Sequence, residues 1–149
     1  MKIRTDFVTN SSSSSFIIAY KNFPKIDEKT IKKYPFLSNF NKLIEHVLYG
    51  KGIGYNTTEG ESVVSRYQLE QQWAEELQYS KYDKLEDLFN DDWYKDAKEE
   101  FNKCLKYLED GYKLVFKRLS YDDEYATDLL EELGNCGDSD FVIVSKREC

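Results

Sequence analysis

The sequence predicts an α+β domain, a small mixed β-sheet with several helices packed mainly on one side of it. Two observations carry this. Short apolar runs of strand character stand near both ends of the chain, at 16–20, 112–119 and 141–146. Between them, residues 38–110 place apolar side chains at helical spacing. The 149 residues suffice for one domain, 1–149, that buries most of its apolar surface. Hydrophobic residues make up 40% and aromatic residues 15%, and the 33% of charged residues interleave both signs, which excludes a disordered chain.

In chain order, 2–8 reads as an edge strand, because Ile3, Thr5 and Phe7 share one face. The unbroken apolar run at 16–20 has no solvated face and reads as a central strand. Asp27 can cap a short helix over 27–34, which Pro35 stops. The helix over 38–49 has the clearest signal. Phe40, Leu43, Ile44, Val47 and Leu48 keep the spacing of one buried stripe, Ser38 can cap the start, and Gly50 stands where a left-handed residue ends a helix. Residues 50–60 hold four of the seven glycines and read as a loop. Thr58 and Glu61 have capping-box spacing for a helix over 62–79 that turns Tyr67, Ala74 and Leu77 to the core. Asp83 and Glu86 repeat that spacing before a long helix over 84–110. Its stripe is Leu85, Leu88, Phe89, Trp93, Ala97, Phe101, Cys104, Leu105 and Leu108, and Gly111 ends it. The run 112–119 is a strand. Ser120 and Asp123 then form a third capping-box candidate, opening a helix over 121–133 that Gly134 stops, before the last strand at 141–146. The order strand–helix–strand fits a right-handed parallel crossover.

Between the first two strands lie Thr9, Asn10 and an unbroken tract of serines, Ser11, Ser12, Ser13, Ser14 and Ser15. The stretch from Phe7 to Phe16, FVTNSSSSSF, resembles the leader of a group of uncharacterised proteins of low-GC Gram-positive bacteria and their mobile elements, which share it and then diverge. The match covers about a tenth of the chain. The resemblance implies membership of that group and no activity.

No apolar run approaches the roughly 20 residues that span a bilayer, so no membrane association is expected. Residues 1–15 lack the apolar segment of a secretory signal. Cys104, Cys136 and Cys149 are odd in number with no CxxC spacing, which argues against a disulfide framework and a structural zinc site and for reduced thiols in the cytoplasm. The formal net charge of −7 is unevenly spread: residues 1–75 carry +2 and residues 76–149 carry −9. An acidic half repels nucleic acid and attracts basic surfaces.

Several constellations invite a chemical reading. The serine hydroxyls, with the backbone amides of 10–15, can cradle an anion such as a phosphate or accept phosphorylation; equally, they can satisfy backbone groups in a polar connection. Gly50, Gly52 and Gly54 suggest a phosphate loop, but they follow a helix and lack the dinucleotide spacing. His46 is the single histidine, on the flank of its helix, so histidine-pair metal sites are excluded. A nucleophile pair with Cys136 has no local motif behind it. Asp138, Ser139 and Asp140 precede a strand, where a turn is the simpler reading. Asp122, Asp123 and Glu124 suit a helix N-terminus. The densest feature is the acidic face of the 84–110 helix: Asp87, Asp91, Asp92, Asp96, Glu99 and Glu100, with Tyr94 and Trp93 interspersed. Residues 83–100 hold eight acids against three lysines. Such a face is either plain solvated surface or a docking face of the aromatic-plus-charge kind.

The expectation is therefore a non-catalytic acidic binding module. Its partner-binding residues are Asp87, Asp91, Asp92, Tyr94, Asp96, Glu99 and Glu100, and its partner is a protein with a basic surface. A mobile-element inhibitor docking on the nucleic-acid-binding surface of a host-defence protein is the concrete version. The alternative is an enzyme or binding protein for a phosphorylated or nucleotide ligand, using Asn10, the serine tract and the loop at 50–60. No metal, cofactor, catalytic residue or direct nucleic-acid contact is expected.

Overall fold

The structure is a computed structural model and describes residues 13–23, 28–35, 40–54, 57–135 and 139–148. The strand expected at 2–8, the caps expected at Asp27 and Ser38, and Cys136, Asp138 and Cys149 lie outside the described residues. The architecture is α+β. Strands β1 (Ser13–Tyr20), β2 (Glu61–Val63), β3 (Lys113–Ser120) and β4 (Phe141–Glu148) form an antiparallel sheet in the order β2-β3-β1-β4. The helices are α1 (Glu28–Lys33), α2 (Phe40–Tyr49), α3 (Arg66–Gln71), α4 (Ala74–Gln78), α5 (Leu85–Phe89), α6 (Lys95–Glu109) and α7 (Glu124–Asn135). None of the described helices is long and apolar enough to cross a membrane.

As its apolar run requires, β1 lies inside the sheet, with Phe16, Ile17, Ile18, Ala19 and Tyr20 all buried. It begins at Ser13, earlier than expected, so Ser13, Ser14 and Ser15 are strand residues rather than a connection. Antiparallel pairing with β4, from Ser14 opposite Glu148 to Tyr20 opposite Phe141, outweighs the weak strand preference of serine. The register slips between Ile17 and Ile18. Both neighbours of β1 run against it, so β3 and β4 run in the same direction with β1 between them. The expected crossover thus joins strands that are not adjacent.

Contacts divide the chain, which the sequence presents as one domain, into two compact units: Met1–Glu61 with Val115–Cys149, and Ser62–Leu114. The core of the first unit takes Phe16, Ile18 and Tyr20 from β1, Val115 and Leu119 from β3, and Phe141 from β4. Against them pack Ile44, Val47 and Leu48 of α2 and Ala126, Leu130 and Leu133 of α7. Among the described side chains of the α2 stripe, Leu43 departs from it and is 47% exposed. Gly50 is not left-handed. Its N–H bonds the His46 carbonyl at 2.7 Å, and a Cβ there would lie 2.5 Å from that oxygen, so the close approach requires glycine. Gly134 does not stop α7 but sits inside it, where a Cβ would fall 2.4 Å from Ile143 Cδ1.

In the second unit both long helices expected from periodicity are broken. The first begins late because 61–63 is strand. The cap in use is Ser65, whose hydroxyl accepts from Gln68 N at 3.2 Å, while the Gln68 carboxamide accepts from Val64 N at 2.8 Å. Thr58 and Glu61 play no part in it; the Thr58 hydroxyl accepts from Arg118 N instead. With α3 ending at Gln71, Leu69 and Trp73 go to the core, while Tyr67 and Ala74 face solvent and Leu77 is half-buried. The second helix breaks after Phe89. Its Asp83/Glu86 signal is unused, as Lys84 precedes α5 without a side-chain cap bond. Leu88, Phe101 and Cys104 are buried, and the Phe101 ring packs edge-on against Trp73 at 5.3 Å and beside Phe89 at 5.1 Å. Burial pushes the Cys104 thiol up to about 12, so it behaves as a small apolar residue. Gly111, with φ 91°, ends α6 as expected. Gly111 N bonds Leu108 O at 3.1 Å, Tyr112 N bonds Tyr107 O at 2.9 Å, and the two tyrosine rings close the motif at 5.0 Å.

Burial now separates neighbours that the periodicity treats alike. Ile44→Ala should cost about 2–5 kcal/mol, whereas Leu43→Ala should cost about 1 kcal/mol or less. Equal losses in urea melts would show the α2 phase to be wrong.

Candidate functional site

Two arrangements stand out, one in each unit. In the first unit, Val115, Lys117 and Leu119 alternate along β3, which carries a lysine onto the core-facing side. Lys117 is 3% exposed. Its Nζ donates to the Gly50 carbonyl at 2.7 Å and to the Thr58 carbonyl, the two ends of the glycine loop. Burial lowers its pKa, against the opposing pull of Asp123 and Glu59. Asp123 is 1% exposed and holds the middle of the same loop. Its carboxylate accepts from Ile53 N at 3.1 Å, from Gly54 N at 3.0 Å and from the Thr57 hydroxyl. Thr57 Oγ1 in turn accepts from Ser120 N at 2.8 Å. Burial works against the Asp123 charge, but the Thr57 hydroxyl, the two amides and Lys117 outweigh it and hold the carboxyl below the usual range.

The loop glycines are the condition for this closeness. A Cβ on Gly52 would fall 2.5 Å from an Asp123 oxygen, and one on Gly54 would fall 2.2 Å from Ser120 Cβ. The loop thus cradles an anion, as its glycines suggest, but the anion is the chain's own carboxylate. A cleft beside Lys117 and Asp123, rimmed by His46, Lys51 and Tyr125, measures about 10 Å³, room for about one water. Asp123 is therefore neither the macrodipole residue nor the capping-box partner that its spacing suggests. Asp122 and Glu124 stand exposed at the start of α7, as a helix N-terminus allows, and His46, on the flank of α2, is exposed.

The anion-binding candidates divide. Asn10, Ser11 and Ser12 lie outside the described residues. Ser13 is buried in β1, and Ser14 and Ser15 stand opposite Glu148 and Arg147 of β4. Asp140 ties the turn before β4 to the end of β1. Its carbonyl accepts from Lys21 N at 2.9 Å and its carboxylate from Asn22 Nδ2 at 3.3 Å.

The second arrangement holds the predicted acidic residues. Asp87 is exposed on α5, Asp91 and Asp92 lie in the break, and Asp96, Glu99 and Glu100 share one side of α6. The break has a local cause. Asp91 caps a short 3₁₀ turn over Asp92–Tyr94, accepting from Trp93 N at 2.9 Å and from the Tyr82 hydroxyl at 2.6 Å. Those two bonds, the tyrosine's first, lower the Asp91 pKa, and the same bond raises that of Tyr82. Asp91 is thereby a structural group, and Tyr94 is half-buried. Trp93, expected in the core stripe, is 86% exposed in the turn just before α6, whose first turn carries Asp96. Tyr79 is 82% exposed in the same unit. Compared with protein-family models, with curated proteins and with solved structures, the chain matches none.

Sequence reasoning missed Lys117, Asp123 and Thr57 as a set. The available signal was a lysine in phase between Val115 and Leu119 in the middle of the strand.

Asp123→Asn should destabilise the protein by about 2–3 kcal/mol near neutral pH, the usual value of hydrogen bonds to a charged group. The folded pKa is depressed. Its stabilisation is therefore present above the ordinary value of about 4 and is lost as pH falls through the lower folded value. The gap between wild type and variant in urea melts should close as pH drops below about 4; a gap that stays constant contradicts the assignment.

Proposed function

We propose that this chain is a non-catalytic binding protein whose second unit docks on a basic surface of a partner protein. One observation carries the reading: the turn capped by Asp91 holds Trp93 86% exposed, in a stretch where Asp92 and Asp96 flank it in sequence. A tryptophan so exposed forgoes about 2–3 kcal/mol of burial, and tryptophan anchors dominate protein contacts. The surrounding charge fits a basic counterpart. Residues 62–114 carry thirteen acids and eight bases, net −5. Asp92, Asp96 and Glu99 steer such a partner, and Trp93 retains it. The narrower version, an inhibitor of a host-defence protein, rests on analogy with small acidic proteins of mobile elements that inhibit nucleases; the resemblance of the stretch from Phe7 to Phe16 adds no activity to it. The phosphate-ligand reading loses support at the loop, because the amides of Ile53 and Gly54 already serve Asp123.

The test uses the partner recovered by crosslinking from the source cell. Asp87, Asp92, Asp96 and Glu99 reversed to lysine should slow association and weaken its salt dependence. Asp91 is left intact because it builds the turn. Trp93→Ala should instead speed dissociation, while leaving stability within about 0.5 kcal/mol of wild type. Association and dissociation rates unchanged in both variants would refute the docking surface.

A further inference from the structure

We propose that the second unit carries a groove that receives an amphipathic helix of its protein partner. The groove is a solvent-open trough of about 580 Å³ between α3–α4, α5 and α6. Each wall presents an apolar pair at helical spacing: Ala74 and Leu77, Leu85 and Phe89, Phe101 and Leu105. Phe101 is buried, but Leu77, Leu85, Phe89 and Leu105 are half-buried, so their burial is incomplete in the isolated chain. Helices with unfinished apolar stripes around one trough are a bundle short of a member. The α6 wall runs from Lys98 to Leu105, about 10 Å or two helical turns, which is the reach of i, i+3/i+4, i+7 anchors.

The rim selects the occupant. It carries both signs in balance, with Lys98 on α6, Glu86 on α5, Asp83 and Lys84 just before α5, and Arg66 paired with Glu70 at 3.3 Å on α3. A small anionic or cationic amphiphile brings one charge to such a rim, whereas a helix brings flanking charges of both signs. The net charge of −5 over residues 62–114 favours a helix with basic flanks overall. This assignment rests on the proposed docking to a basic protein and gives that partner a shape. The two features are separable. At 100° per residue, Asp96 and Glu100 project from the side of α6 opposite the groove-lining Lys98, Phe101 and Leu105.

The test uses the full chain and a fluorescent designed helix of Leu, Ala, Lys and Glu, about four turns long, apolar on one face and net basic. A scrambled peptide of the same composition is the control. Wild type should bind the amphipathic peptide about tenfold or more tighter than the scramble. Ala74→Trp, which fills the groove from an exposed position, and Leu77→Gln should each weaken it about tenfold, with thermal melts confirming that both variants are folded. Equal binding of the scramble overturns the proposal, and so does wild-type affinity in both variants. A third overturning result is binding of the apolar dye anilinonaphthalene sulfonate, lost in Ala74→Trp, without any binding of the peptide: the groove would then be a small-molecule site. Reversal of Asp92, Asp96 and Glu99 should slow association and spare dissociation. If that arm alone fails, the charge-steering reading falls and the groove stands.

Discussion

A carboxylate with almost no contact with water organises the first unit. Asp123 keeps its charge inside the fold only because a stretch some seventy residues earlier in the chain turns two amides and a hydroxyl towards it. A buried charge without such partners costs several kcal/mol, so Ile53, Gly54 and Thr57 are held against it. The glycines of this loop follow from that constraint, since side chains at 52 and 54 would occupy the space that the carboxylate and Ser120 fill. Lys117 completes the arrangement from the next strand face, bonding the carbonyls at either end of the loop. Lys117 thus bonds the residue that follows α2, and Asp123 directly precedes α7, so the ends of both helices meet at these two buried groups.

The second unit follows a different rule, in which caps override periodicity. A continuous helix over 84–110 would have turned Trp93 inward with Phe89 and Ala97. Asp91 competes by capping a fresh turn, with Tyr82 holding its other oxygen, and the phase of the helix resets. The tryptophan is thereby moved from core to surface. The same break sets the short α5 beside α6 and leaves the apolar pairs of α4, α5 and α6 around an unfilled trough. Local capping chemistry thus generates both surface features on which the functional reading rests.

Much of the fold was legible in the sequence because apolar runs report burial directly. The run from Phe16 to Tyr20 is an inner strand, and Ile44, Val47 and Leu48 are core. Breaks were less legible, because Asp and Ser residues that can cap are more numerous than those that do. Asp83 and Thr58 had the spacing and were bypassed, while Ser65 and Asp91 were used. Asp123 shows the reverse error. Its spacing from Ser120 matched a helix cap, and only the loop brought against it from 53–57 turns it inward. No local pattern encodes a contact of that sequence separation. The acidic residues were found by composition alone, but which of them is structural depended on the Tyr82 contact, which fixes Asp91 and leaves Asp92, Asp96 and Glu99 free to meet solvent.

Amide hydrogen exchange at Ile53 and Gly54 tests the buried-carboxylate account most directly, because both N–H groups sit in a short glycine-rich loop that would otherwise exchange freely. The account predicts that at neutral pH both amides are protected to the same degree as the Leu119 amide in β3, and that Asp123→Asn strips protection from this pair well before it affects Leu119. Rapid exchange of Ile53 and Gly54 in the wild-type protein, unchanged by Asp123→Asn, would contradict it.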